Sequence, residues 1–110
     1  MTFDEYQKLA LKTAVNNYEP LMEKTIWAMG VAGEAGEVVE KWKKIVAYKD
    51  GKVSDDDLNE LAKELGDVVW YIAVMADSLG LSFDDVMQRN VRKLADRDKR
   101  HVIKGVGDNR

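Results

Sequence analysis

Apolar residues recur along this chain at three- and four-residue spacing, the pattern of amphipathic helices. Phe3, Tyr6, Leu9, Ala10 and Thr13 form a first stripe, and Thr2 with Glu5 three residues on reads as a capping box. A helix is therefore expected from about Phe3 to Val15. Asn16-Asn17-Tyr18-Glu19-Pro20 breaks it, because Asn favours turns and Pro disfavours a helical residue before it. A longer helix is expected from about Leu21 to Tyr48, with Val31, Ala35, Val38, Trp42, Ile45 and Val46 as its core stripe. On the neighbouring stripe lie Trp27, Gly30, Glu34, Glu37 and Lys41.

Lys49-Asp50-Gly51-Lys52 reads as a turn, and Ser54 as the N-cap of a third helix whose first three residues are aspartates. That helix should reach about Ser78, with Leu58, Leu61, Leu65, Val68, Ile72, Met75 and Leu79 facing the core and Glu60, Glu64, Asp67 and Tyr71 on an adjacent stripe. Gly80 ends it. Ser82 with Asp85 then caps a fourth helix, which runs to about Lys99 with Phe83, Met87, Val91 and Leu94 inward. The expected fold class is all-α, an antiparallel helical bundle of about four helices. Val68 to Met75 is apolar on nearly every side, and such a helix is normally covered all round. A homodimer or homotetramer is expected to supply the cover.

At 110 residues the chain is read as a single domain, 1–110, with about residues 100–110 as a mobile basic tail. A content of 45% hydrophobic and 34% charged residues suits a soluble globular protein. No apolar run approaches a transmembrane length, and the acidic start lacks a secretory apolar region, so no membrane partner and a cytoplasmic location are expected. With no cysteine, a thiolate metal site and a cysteine nucleophile are excluded. The net charge of −3 hides an asymmetry: residues 1–88 carry 9 basic and 17 acidic side chains, residues 89–110 carry 8 and 3. An acidic body argues against nucleic acid as partner. It suits an anionic ligand that arrives with a metal.

The chemistry concentrates in two short pieces, Glu34-Ala-Gly-Glu37 and Glu64-Leu-Gly-Asp67. Each pair is spaced i, i+3, which puts two carboxylates on one helical face. The 26 residues between the pairs allow one helix to finish and the next to run back beside it. Four carboxylates brought together would repel, so they call for a cation, and hard oxygen ligands suit Mg²⁺ with Mn²⁺ as a possible substitute. Gly33, Gly36 and Gly66 flank the acids inside helical stretches, each at a cost of roughly 1 kcal/mol relative to Ala; close approach of a neighbouring backbone or ligand is the expected reason. A solvated helix face with Glu37–Lys41 and Glu40–Lys44 pairs is the plainer alternative. On the fourth helix Asn90, Lys93 and Arg97 share a face and could clamp phosphate. Trp27, on the stripe of Glu34, could stack on a base or belong to the core.

Together these blocks resemble the MazG-like superfamily of all-α nucleoside triphosphate pyrophosphohydrolases. The likeness rests on Gly33-Glu-Ala-Gly-Glu-Val38, on Glu64-Leu-Gly-Asp-Val-Val-Trp70, and on Asn90, Lys93 and Arg97 followed by a tail ending Gly-Asp-Asn-Arg110. The resemblance implies hydrolysis of nucleoside triphosphates between the α and β phosphates, in active sites formed within dimers or tetramers. It implies Glu34, Glu37, Glu64 and Asp67 as Mg²⁺ ligands; on chemical grounds a carboxylate left partly free of metal, Glu34 or Glu37, could take the water proton. Asn90, Lys93 and Arg97 would meet the substrate phosphates. The competing class is a non-catalytic helical interaction module with a structural metal.

Overall fold

The computed structural model describes all 110 residues and has four helices: α1 (Phe3–Leu11), α2 (Pro20–Lys49), α3 (Asp55–Ser78) and α4 (Phe83–Lys99). No strand is present, as the periodicity requires. Helix starts follow their caps. Thr2 Oγ1 accepts from the Glu5 amide at 3.0 Å. Ser54 and Asp57 form a complete capping box, each side chain accepting the other's amide at 3.1 Å. Ser82 Oγ accepts from the Asp85 amide at 3.1 Å, and Pro20 opens α2 at a position where its missing N–H is not needed.

α1 stops at Leu11, four residues short of the expected end. The Thr13 hydroxyl donates to the Ala10 carbonyl, and the Asn16 amide donates to the Ala14 carbonyl and the Glu23 carboxylate. These side chains compete with the helical ladder for backbone groups, so the last expected turn is not made.

α2 and α3 form an antiparallel pair. Lys49 meets Asp57 near the turn, Lys41 meets Glu60 further along, and Gly30 lies against Tyr71 beyond that. A Cβ on Gly30 would fall 2.2 Å from two Tyr71 ring carbons, so only glycine allows the helices to approach there. The stripe carrying Trp27, Gly30, Glu34 and Lys41 is thus the inner face of α2. α1 lies across α3 and α4. Its buried Gln7 joins all three: the amide nitrogen donates to the Ala73 and Leu81 carbonyls, and the oxygen accepts from the Phe83 amide. Ala10, Trp27, Ala73, Val74 and Phe83 make the core around it.

The four helices do not close into a bundle within one chain. α4 turns 104° away from α3 at Gly80, whose φ of 74° glycine adopts without strain, and α2 and α4 do not pack on each other. Only Ile45 of the expected α2 core stripe is buried; Trp42 and Val46 are about half exposed. Leu58, Leu65, Leu79, Val91 and Leu94 are exposed as well. The accessible surface is 8116 Å², against about 6,200 Å² for a compact monomer of 12.5 kDa. The radius of gyration is 16.9 Å, where about 13 Å is usual for this length. No single helix is long and apolar enough to cross a membrane.

Residues 100–110, expected to form a mobile tail, fold back along the end of α4. The Arg110 guanidinium donates to the carbonyls of Val102, Ile103 and Gly107. Asp108 accepts from Lys93 and Arg97, each at 2.8 Å.

Candidate metal and phosphate site

The register of the α2–α3 pair puts the two acidic blocks opposite each other between the Lys41–Glu60 contact and the Gly30–Tyr71 contact. Carboxylate oxygens of Glu34, Glu64 and Asp67 lie within 4.8 Å of one another. Glu37, one turn along from Glu34, faces with Glu64 into a cleft of about 290 Å³ that runs on between the helices. Three acids thus form a tight group and the fourth adjoins it.

The charges behave accordingly. Burial, and then the negative charges of Asp67, Glu64 and Glu37, raise the Glu34 carboxyl above its ordinary value. Burial, with Asp67 as a second cause, also raises the Tyr6 phenol. None of the four acids has a lysine or arginine partner, whereas the acids around them do. Glu40 pairs with Lys43 and Lys44, Glu60 with Lys41 and Lys63, and Asp57 with Lys49. Lys43 and Lys63 hold Glu40 and Glu60 below the usual carboxylate range, and Lys49 takes Asp57 down to about 2. Lys41, which the plainer alternative pairs with Glu37, reaches across to Glu60 instead at 3.3 Å. That leaves Glu37 unneutralised. The donor set fits a hard divalent cation: oxygens only, converging, and short of positive charge.

Of the two expected reasons for the glycines beside the acids, approach by another part of the same backbone does not apply. Gly33, Gly36 and Gly66 have nothing within 4 Å of where a Cβ would stand, so no element of the same chain approaches them. The close approach is at Gly30. Trp27 is also placed differently from the base-stacking expectation. It is 7% exposed and lies edge-on to Trp70 at 5.5 Å, with Tyr71 at 6.0 Å, so it is a core residue.

The α4 stripe does not join the acids within one chain. Asn90 and Lys93 border a separate shallow depression with Leu81, Val86 and Arg89, and no α4 residue lines the cleft that holds Glu37 and Glu64. Arg97 is 5% exposed. Asp108, its partner and that of Lys93, is held by both cations at about 2. The tail acid that occupies the α4 cations was missed in the sequence, where Asp108 stood only as part of a polar end.

A model of the MazG nucleotide pyrophosphohydrolase domain matches residues 23–102, which include both acidic blocks and the α4 stripe. The chain belongs to the MazG nucleotide pyrophosphohydrolase family. This MazG chain is 41% identical to the Gene 37 protein of Mycobacterium phage L5 over 114 aligned positions that cover all of both chains. It is 36% identical over 72 positions to the uncharacterized protein YvdC of Bacillus subtilis (strain 168), covering 58% of this chain and 65% of that one. Neither name states an activity. No solved structure matches the chain. Membership of the MazG family suggests nucleotide pyrophosphohydrolase activity, and the converging acids are the group in this fold that such chemistry can use.

Proposed function

We propose that this MazG protein is a Mg²⁺-dependent hydrolase of (deoxy)nucleoside triphosphates that acts between the α and β phosphates and serves to clean the nucleotide pool. The observation that carries the reading is the unpaired acidic group: Glu34, Glu64 and Asp67 converge and Glu37 adjoins them without a cation, while every nearby acid has one. Glu34, Glu64 and Asp67 would hold Mg²⁺, with Mn²⁺ as a substitute and Glu37 as a further ligand. Bound there, the metal would neutralise phosphate charge and activate water.

The chain's own part is positioning and proton handling. Water attacks the α phosphorus, the bridging oxygen leaves with pyrophosphate, and the nucleoside monophosphate remains. Glu37 lies outside the tight trio and has no ion pair, so it is the carboxylate best placed to take the proton of the attacking water. Glu34, with its raised proton affinity, is the other acid that can hold a proton when metal is absent. Asn90, together with Lys93 and Arg97 once these are released from Asp108, would reach substrate phosphates from the α4 face of a neighbouring subunit, since α4 and α2 do not pack in one chain. A homodimer or homotetramer is part of the proposal.

The test is Glu64→Gln. It removes one charge from the trio and keeps the side-chain volume. Helical circular dichroism should be unchanged while Mg²⁺-dependent triphosphate cleavage falls by at least about 100-fold, on the order of 3 kcal/mol in the barrier. A fully active Glu64→Gln protein sinks the proposal.

A further inference from the structure

The cleft beside the acidic group continues along α2 and α3 past Glu37 and Glu64, and its far part is lined by lysines: Lys41, Lys44 and Lys49. Lys41 stands one turn beyond Glu37 and Lys44 nearly another; the two acids that line the same stretch, Glu40 and Asp57, are each paired with lysine, unlike Glu37 and Glu64. At 1.5 Å per residue Lys44 lies about 10 Å along the helix from Glu37, a span comparable with an extended triphosphate chain.

These lysines differ in how firmly they are held. Lys49 donates to both oxygens of Asp57, at 2.8 and 2.9 Å, and Asp57 also completes the Ser54 capping box. Lys49 is therefore held at two points by an acid that is itself fixed. Lys41 and Lys44 each share their acid with a second lysine outside the cleft. Glu60 accepts from Lys63 at 3.1 Å as well as from Lys41 at 3.3 Å, and Glu40 lies 3.0 Å from Lys43 but 3.6 Å from Lys44. Either lysine can therefore turn to another anion and leave no carboxylate without a partner. Lys41 is half-buried, so a second anion brought to it is only partly screened by solvent.

We propose that Lys41 and Lys44 form a subsite for the β and γ phosphates, the part of the substrate that departs as pyrophosphate. The inference rests on the reading of the acids as a Mg²⁺ site for triphosphate cleavage, and adds the direction in which the triphosphate lies: α phosphate at the acids, β and γ along the cleft toward the α2–α3 turn. The subsite recognises the inorganic end of the substrate, so it serves every base alike. It also makes pyrophosphate a product inhibitor.

The experiment is calorimetric titration of the full-length protein with pyrophosphate in the presence of Mg²⁺, which needs no turnover. Lys41→Met and Lys44→Met should each weaken pyrophosphate binding about tenfold, the loss of one charge-assisted hydrogen bond. Nucleoside monophosphate binding should be unaffected. Lys52→Met, which removes the same charge outside the cleft, should bind pyrophosphate as the unaltered protein does. Unchanged binding by the Lys41→Met/Lys44→Met double variant, or no binding by the unaltered protein, overturns the subsite. If lysine-dependent binding is found but no triphosphate is cleaved, the reaction is wrong and the subsite stands. If cleavage is found with binding insensitive to both lysines, the reverse holds.

Discussion

At the scale of single residues, what sets Glu34 apart is its neighbours, since helical glutamate is ordinary and glutamate facing three other carboxylates is not. Its raised proton affinity means that the folded, metal-free protein is strained by ionising it. The sign follows: a carboxylate whose folded value lies above its unfolded one favours the fold at low pH and opposes it as pH rises through that range. Glu34→Gln should therefore raise the melting temperature of the metal-free protein at neutral pH and abolish the increase that Mg²⁺ gives the unaltered chain. A thermal melt with and without EDTA reads both. A lower metal-free melting temperature in Glu34→Gln would contradict the account. The four acids were legible in the sequence because i, i+3 spacing is a local fact. The partners of Lys41, Lys93 and Arg97 were not, because Glu60 and Asp108 reach them through tertiary structure. Trp27 carried no local mark to separate core from binding surface, and Trp70 and Tyr71 decide it.

At the scale of elements, three of the four helix starts and every helix were readable from caps and periodicity. α1 fell short because its last expected turn depended on Thr13 and Asn16 leaving the backbone alone, which they do not. The start of α3 depends on charge. Asp57 accepts from Lys49 and from the Ser54 amide and is held at about 2. A depressed carboxylate contributes stability that is whole above its unfolded value near 3.8 and is lost as pH falls toward 2. The unaltered protein should lose melting temperature across that window. Asp57→Asn should be less stable at neutral pH and should lose less between pH 4 and 2. Equal acid sensitivity in both would remove Asp57 from the account. The tail follows the same rule through Asp108, so its contact with α4 is also expected to loosen over that range.

For the whole molecule, the helical class and the antiparallel α2–α3 pair were legible, and the placing of α4 and the cover of the apolar faces were not. Periodicity says which face of a helix is apolar but not which body covers it. Trp42, Val46, Leu58 and Leu65 were read as core on that basis, and one chain leaves them exposed. Exposed apolar surface together with an accessible area about a third above that of a compact monomer argues for a missing partner, and the same sequence is the nearest candidate. Light scattering on the eluting protein should give twice or four times 12.5 kDa. A monomer at micromolar concentration would contradict this.

Which bond the protein breaks decides its function, and analysis of the products reads that bond. The protein would be offered each of the eight common ribo- and deoxynucleoside triphosphates with Mg²⁺ and again with EDTA, and the products separated. Nucleoside monophosphate and pyrophosphate are expected in equal amounts from at least some of them, with Mg²⁺ and not with EDTA. Diphosphate and inorganic phosphate would contradict the assigned bond. No turnover by folded, metal-loaded protein would contradict the assigned substrate and favour the non-catalytic helical module.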